Sequence, residues 1–325
     1  MQMRAAIYEA YGGPEVLRVR EVPRPEPRPD EVRVAVDAST VTAACGMMRR
    51  GDTAMARVVL GLLRPRRRFR VLGTEIAGVV DAVGARVRRF QPGCRVYGFT
   101  GMHVGGCAEY VTLREDASLV AAPAGLTPQE ACTLVDGPTT ALYFLRDRGA
   151  LRAGERVAIL GASGSVGTAA VQIARHLGAE VTAICSGANA ALVSDLGAHH
   201  VIDYTAQDYT DAGARYDVVF DTVGKSSFAA AKRALQPGGR YLVTVGGPWL
   251  PVRAWLSRFH GDHRLVFGFS IEKTAALQEV TRLVAQGALR PVIDRRYALA
   301  DIAEAHRYVD TGRKRGNVVI AIREG

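Results

Sequence analysis

Between residues 157 and 185 the pattern of apolar and polar positions changes period twice, and each change marks an element. Val157-Ala-Ile-Leu-Gly161 is a short continuous apolar run, which reads as a buried strand. A turn of small residues follows, Ala162-Ser-Gly-Ser165. Apolar positions then recur at Val166, Ala170, Ile173 and Leu177, the spacing of one helix face. Glu180-Val-Thr-Ala-Ile-Cys185 reads as a second strand, so the segment forms one βαβ unit.

The first third of the chain has a different rhythm. Arg4–Tyr8, Val16–Arg20 and Glu31–Asp37 alternate or are β-branched, and the proline-rich turn Pro23–Pro29 separates the last two. Further strands are predicted at Glu75–Val83, Cys94–Phe99 and Ala108–Thr112, with Gly73, Gly78, Gly84 and Gly93 suited to tight turns in a barrel-like sheet. From about residue 123 strands and helices alternate. Thr127-Pro-Gln-Glu130 has the spacing of a capping box. After the βαβ unit come a helix near Asn189–Leu196 and strands His200–Asp203 and Tyr216–Asp221. A helix Phe228–Leu235, the turn Pro237-Gly-Gly239 and strands Arg240–Val245 and Arg264–Phe269 complete the series.

That alternation predicts an α/β fold with a doubly wound parallel sheet beside a β-rich domain. The boundaries fall at 1–122 with 272–325 for the β-rich domain and 123–271 for the sheet domain. A last helix near Lys273–Gln286 and a strand Asn317–Ile322 return to the first domain. A cleft between the two domains is the expected substrate site.

Composition narrows the class. The chain has 325 residues, 48% hydrophobic and 23% charged, enough apolar side chains for two cores. No apolar run approaches the ~20 residues of a membrane span, and no signal-peptide pattern opens the chain, so a cytoplasmic protein with no membrane partner is expected. The net charge is +10, almost all from arginine, since lysine occurs only at Lys225, Lys232, Lys273 and Lys314. Arg64-Pro-Arg-Arg-Arg-Phe-Arg70 is locally basic, but arginines are scattered throughout, which disfavours a nucleic-acid track. The cluster suits a solvated surface or an acidic or phosphorylated substrate. Five cysteines (Cys45, Cys94, Cys107, Cys132, Cys185) form no C-x-x-C pair, so neither a disulfide framework nor a four-cysteine zinc site is expected.

The turn carries the chemistry. Ala162-x-Gly164-x-x-Gly167 is a dinucleotide fingerprint with alanine at the first glycine position. Gly161, Ala162, Ser163, Gly164, Ser165, Val166 and Gly167 let a pyrophosphate reach backbone amides at a helix start. The second strand ends without a carboxylate, in Ser186-Gly-Ala-Asn189. Ser186 and Asn189 can donate to a 2′-phosphate, so NADPH is preferred over NADH. His199, His200, His260 and His263 have no companions at metal-ligand spacing and read as solvated or structural.

Seven motifs, in order, carry a resemblance that covers the whole chain. They are Tyr11-Gly-Gly-Pro-Glu-Val-Leu17, Leu72-Gly-Thr-Glu-Ile-Ala-Gly-Val-Val80, Gly137-Pro-Thr-Thr-Ala141 and Gly161-Ala-Ser-Gly-Ser-Val-Gly-Thr168. Leu196-Gly-Ala-His-His-Val-Ile-Asp-Tyr204, Phe220-Asp-Thr-Val-Gly224 and Gly316-Asn-Val-Val-Ile320 complete the set. The chain thereby resembles the medium-chain dehydrogenase/reductase superfamily, in its zinc-free quinone-oxidoreductase-like branch. The resemblance implies a GroES-like catalytic domain, a Rossmann domain and a homodimer paired through the sheet edge near Val266–Phe269. It places Tyr204 at the adenosine end, and Thr139, Val223, Val245, Gly246, Phe269 and Asn317 around the nicotinamide and ribose. For Val223, Val245 and Phe269, ordinary core packing is the competing reading.

In zinc relatives the catalytic metal columns fall here on Thr42, Thr74 and Asp136, a poor donor set for Zn²⁺. The resemblance thus implies no metal, and a substrate whose own electronics accept hydride: a quinone or an α,β-unsaturated carbonyl. Thr42, where relatives carry asparagine, is the candidate hydrogen-bond donor to the developing oxyanion, or else a simple cap. Cys45 falls where relatives carry aspartate. Tyr97 or solvent would supply the proton. Alternatives are an enoyl-thioester reductase, with Arg64–Arg70 on the phosphopantetheine phosphate, and an NADPH-responsive RNA-binding or structural protein.

Overall fold

In the computed structural model, every residue is described except Thr53, Ala212, Ala214, Pro248, His260, Glu324 and Gly325; Ala54, Met55, Ala56 and Met102 are described in backbone alone. The chain divides into two compact units. Unit 1 comprises Met1–Asp136, Glu272–Ala285 and Pro291–Gly325, and unit 2 comprises Gly137–Ile271 and Gln286–Arg290.

Unit 1 opens with β1 (Gln2–Ile7) and β2 (Arg18–Pro23), an antiparallel pair. The second strand starts later than the apolar pattern suggests, because Pro14 opens a 3-10 turn over Pro14–Val16. Then follow β3 (Glu31–Val41), α1 (Ala43–Arg50), α2 (Ala54–Leu60), β4 (Glu75–Val83), β5 (Arg95–Phe99), β6 (Tyr110–Arg114), β7 (Leu119–Ala121) and α3 (Pro128–Cys132). Thr127 and Glu130 form the expected capping box at α3. The Cys132 thiol donates to the Ser39 carbonyl of β3 at 3.7 Å. This packing keeps α3 in unit 1, so the chain leaves that unit at Asp136, later than the change of period at residue 123.

Unit 2 contains α4 (Asp136–Leu142, with its first residue still in unit 1), β8 (Arg156–Leu160), α5 (Ser165–His176), β9 (Glu180–Cys185), α6 (Ala190–Asp195) and β10 (His200–Asp203). It continues with β11 (Tyr216–Asp221), α7 (Phe228–Ala234), β12 (Leu235–Val243), α8 (Leu250–Leu256) and β13 (Arg264–Phe267). Pro237-Gly-Gly239 is a bulge inside β12 and not a turn before it: Leu235 already pairs with Tyr216, and the register slips before Arg240 pairs with Val218. The chain then returns to unit 1 with α9 (Thr274–Ala285), β14 (Ile293–Ala298), α10 (Ile302–Asp310) and β15 (Asn317–Ala321).

The sheet of unit 2 runs in the order β10-β9-β8-β11-β12-β13, and every pair is parallel. Such strands are covered on both faces, which is why they read as continuous apolar runs. Ala158, Val219, Tyr241 and Leu265 of four adjacent strands join one core. The strand order reverses between β8 and β11, and a crevice opens beyond the carboxyl ends of strands at such a point. In unit 1 the larger sheet runs β14-β15-β3-β4-β5-β7, with β6 also on β3, around a core that includes Val34, Ile76, Val96 and Val318. β15 pairs with β3, as the return of the C-terminal strand requires. The structure thus joins a GroES-like β-rich unit to a Rossmann-type unit. No helix among the described residues is long and apolar enough to cross a membrane.

Candidate functional site

The fingerprint lies at the switch point. Gly161 follows β8 with φ +74, and a Cβ there would stand 2.6 Å from Val223 Cγ1 and 2.8 Å from Thr222 Oγ1. Glycine is therefore required for both backbone angle and space. A Cβ on Gly167 would stand 2.1 Å from the Gly161 carbonyl oxygen, so glycine there lets α5 sit against the turn. Gly164 is the N-cap of α5, its amide donates to the Gly161 carbonyl at 3.0 Å, and no side chain caps the helix. The first amides of a helix have no partner within it, and α5 is twelve residues long, so its start offers donors and a positive dipole end to an anion. Ala162 is fully buried beneath the turn. The cradle fits a dinucleotide pyrophosphate.

Asn189 links the turn to the end of β9. Its Nδ2 donates to Ser163 Oγ at 3.0 Å and to Ser186 Oγ at 3.2 Å. Because each hydroxyl oxygen accepts from Asn189, each hydroxyl proton is left to donate outward. The sequence shows no carboxylate at this strand end, but β10 supplies one. Asp203 stands opposite Cys185 in register, and a Cβ on Gly187 would lie 2.5 Å from Asp203 Oδ2. Asp203 Oδ1 accepts from the Thr205 hydroxyl at 2.7 Å and its amide at 2.9 Å. These bonds hold its carboxyl below the usual range, so it is ionised. Tyr204 is 63% exposed just after it.

The carboxyl ends of β11, β12 and β13 carry Val223, Val245 and Phe269, at 45%, 46% and 69% exposure. Core packing therefore does not account for them within unit 2. Gly246, after Val245, is exposed, and Thr139 in α4 is fully buried.

Asp221 is a residue that sequence reasoning passed over, although it lies inside a quoted motif. It is fully buried at the end of β11. Its Oδ1 accepts from the amides of Val223 (3.0 Å) and Gly224 (2.7 Å); Oδ2 accepts from the Ser226 amide (2.8 Å) and the Tyr241 hydroxyl (2.9 Å). Thr222 Oγ1 donates to the Leu160 carbonyl at 2.8 Å, tying the same loop to β8. A polar residue ending an apolar strand is the signal that could have found Asp221.

The remaining candidates belong to unit 1. Thr42 caps α1: its Oγ1 accepts from the Cys45 amide at 3.2 Å and lies 3.3 Å from Cys45 Sγ. Tyr97 requires a correction. It is fully buried, and its hydroxyl donates to the Leu277 carbonyl at 2.9 Å and lies 3.0 Å from Thr281 Oγ1. Burial pushes its pKa up to about 12. With its proton spent on α9, Tyr97 is a tether and no proton donor. Asn317 uses its side-chain amide on the Val292 carbonyl at 3.1 Å.

At the metal columns, Asp136 receives the buried Lys273 ammonium at 2.9 Å, and Thr42 serves as a cap. Two threonines and a lysine-paired aspartate do not fit a zinc ion. Glu75 lies nearby, buried, accepting from the Thr40 hydroxyl, and its carboxyl is pushed up to about 8 by burial and then by Asp136. Burial holds the thiols of Cys45, Cys107, Cys132 and Cys185 above their ordinary range, so they stay protonated and unreactive. His199 accepts from the Val181 amide at 2.9 Å and His200 lies 3.0 Å from Glu180, both structural contacts; His260 lies outside the described residues.

Residues 28–124 match the alcohol dehydrogenase GroES-like domain, and residues 196–320 match the zinc-binding dehydrogenase domain. A quinone oxidoreductase of Pseudomonas aeruginosa is 33% identical, over 96% of this chain and 98% of that protein. An NADPH-dependent alkenal/one oxidoreductase of Arabidopsis thaliana chloroplasts is 27% identical, over 98% of this chain and 79% of that protein. The solved quinone oxidoreductase of Coxiella burnetii superposes with a TM-score of 0.91 at 27% identity, covering 99% and 100% of the two chains. With these relatives, this fold and this cradle, the chain belongs to the medium-chain dehydrogenase/reductase superfamily, in its quinone-oxidoreductase-like branch.

Proposed function

We propose that this protein is a zinc-independent oxidoreductase that uses NADPH to reduce quinones or α,β-unsaturated carbonyl compounds. The observation that carries the reading is the glycine cradle at the switch point, where Gly161 and Gly167 leave room that any side chain would fill. When bound, the nicotinamide supplies a hydride. The chain holds the pyrophosphate on the start of α5, and the Asp221-anchored loop presents Val223 beside the turn. The exposed row Val223, Val245 and Phe269 excludes water from a flat apolar partner.

The donor set at Thr42, Thr74 and Asp136 supports chemistry without a Lewis acid, which favours substrates already conjugated to a carbonyl. The activities for which the Pseudomonas and Arabidopsis relatives are named support the same two substrate classes. The Ser163 and Ser186 hydroxyls, fixed by Asn189, support NADPH. Thr42 remains the candidate donor to the developing oxyanion: among the described residues its hydroxyl faces the weak acceptor Cys45 Sγ, so it can turn to a better one. Solvent supplies the proton, since Tyr97 is engaged elsewhere.

The test is NADPH oxidation against a benzoquinone, a naphthoquinone, an alkenal and an enoyl thioester, with NADH as control. Turnover with a quinone or alkenal, faster with NADPH, is expected. Turnover confined to the thioester would establish the enoyl-reductase alternative, and tight NADPH binding with no turnover would refute the general-reductase reading. A homodimer paired through the β13 edge is part of the proposal. A solution mass of one chain would remove it.

A further inference from the structure

Unit 1 carries a loop that neither the cradle nor the metal columns explain. Residues 61–68 leave α2 and return at Phe69. Their ends are fixed: the Gly61 amide donates to the Arg57 carbonyl and the Arg66 amide to the Leu60 carbonyl, each at 2.7 Å. Leu60 and Phe69 are buried together with Val104, and Pro65 within the loop is buried as well. Gly61 has φ +133, and a Cβ there would stand 2.1 Å from the Arg64 carbonyl oxygen. The loop is therefore tightly folded by a glycine, and its tip is held out.

That tip is Leu62 and Leu63, at 67% and 92% exposure. Single exposed leucines are common and need no explanation. Two in succession, at the apex of an anchored loop and followed by exposed Arg64, Arg66, Arg67 and Arg68, make a different feature. Arg70 at the base pairs with Glu9 at 2.7 Å, but none of those four arginines has a carboxylate partner among the described residues. An apolar tip inside a basic collar matches the two layers of an anionic bilayer surface. Leucines enter the acyl boundary, while guanidinium groups stay among the phosphates.

We infer that the Leu62–Arg68 loop docks unit 1 onto an anionic lipid surface. A nucleic acid would satisfy the arginines and leave the leucines in water, and an acidic protein groove would need a partner of fitted shape. The bilayer alone uses both halves of the loop without further requirements. The expectation of no membrane partner came from the lack of a spanning segment, and a surface loop does not need one. The inference is independent of the reductase reading, because it concerns binding and not turnover.

The experiment is co-sedimentation of the full chain with phosphatidylcholine vesicles, with and without phosphatidylglycerol, at low and high salt. Binding to the anionic vesicles alone, weakened by salt, is expected. Replacing Arg64, Arg67 and Arg68 by glutamine should lower the partition coefficient about fivefold per residue. Leu62→Ser with Leu63→Ser should lower it at every salt concentration while leaving the thermal midpoint unchanged, since both side chains are exposed. Failure to sediment with anionic vesicles would overturn the inference. So would binding that survives both sets of substitutions, or binding of a homopolymeric RNA that ignores the leucine changes while vesicles are not bound.

Discussion

Lys273 donates to Asp136 across 2.9 Å although its side chain is 1% exposed. The Lys273 backbone amide also donates to Ser118 Oγ at 3.0 Å, and its ammonium lies 5.0 Å from the centre of the Phe99 ring. A buried side chain that has lost its contact with water depends on such partners, and removing one leaves the other uncompensated. Asp136→Ala should therefore destabilise the protein by about 2 kcal/mol, below the usual figure for a buried pair because Asp136 is 35% exposed. Urea unfolding of the variant measures this. Dialysis against a chelator should leave turnover unchanged, because the carboxylate on the metal column is already spent on Lys273.

Gly167→Ala places a methyl group 2.1 Å from the Gly161 carbonyl oxygen, a backbone atom that cannot swing aside. The start of α5 must move, at a cost of about 1–3 kcal/mol. NADPH affinity, read by nucleotide fluorescence, should fall at least about tenfold. An unchanged affinity would mean that the cofactor does not rest on this turn.

Asp221 gathers four loop amides and a tyrosine hydroxyl in a fully buried place. Asp221→Asn turns one acceptor into a donor facing donors, and should cost about 3 kcal/mol. Cofactor affinity should fall along with stability, because Val223 and Gly224 are positioned by that carboxylate. Thermal unfolding and NADPH titration on the same sample separate the two effects.

Asp203 brings a negative charge beside Gly187, where the 2′ end of the adenosine ribose is expected. Asp203→Asn should raise the preference for NADPH over NADH roughly fivefold, by removing repulsion of the 2′-phosphate. The ratio of the two kcat/KM values measures it, and a ratio that does not rise would place the phosphate elsewhere.

His306 is 1% exposed on α10, with neither ring nitrogen hydrogen-bonded among the described residues. Burial, reinforced by Arg49, drives its pKa down to about 3 from 6.5. Above pH 6.5 the ring is neutral in both folded and unfolded chains, and its contribution to stability is complete. Below 6.5 the unfolded chain takes up a proton that the folded chain refuses. Stability then falls by about 1.4 kcal/mol per pH unit until the folded value is reached. His306→Gln should flatten the decline in thermal midpoint between pH 7.5 and 5 by an amount equivalent to about 2 kcal/mol. A slope identical to that of the parent would assign the acid sensitivity to other groups.

Much of this protein is local and therefore legible in its sequence. Val157–Leu160, Glu180–Cys185 and Tyr216–Asp221 declare themselves as strands because parallel strands buried on both faces must be apolar throughout. The fingerprint is legible for a similar reason, since a backbone that must approach an anion tolerates little beyond glycine, alanine and serine. What escaped were the elements whose pattern is weak in isolation: α1, α2, α4, α8, α10, β7 and β14 are short or mixed, and only their neighbours stabilise them.

Charge and hydrogen-bond partners were decided by tertiary structure. The end of β9 has no acidic residue, yet parallel pairing with β10 sets Asp203 beside it. Tyr97 has the chemistry of an acid, but α9 packs against β7, and the Tyr97 hydroxyl donates its hydrogen bond to the Leu277 carbonyl. Asp136 sits on a ligand column, but a lysine 137 residues away in sequence claims it. Sequence determines which backbone can bend and which strand can be buried, because those are properties of a residue and its neighbours. Which donor meets which acceptor depends on segments brought together from far along the chain, and that is settled when the core closes.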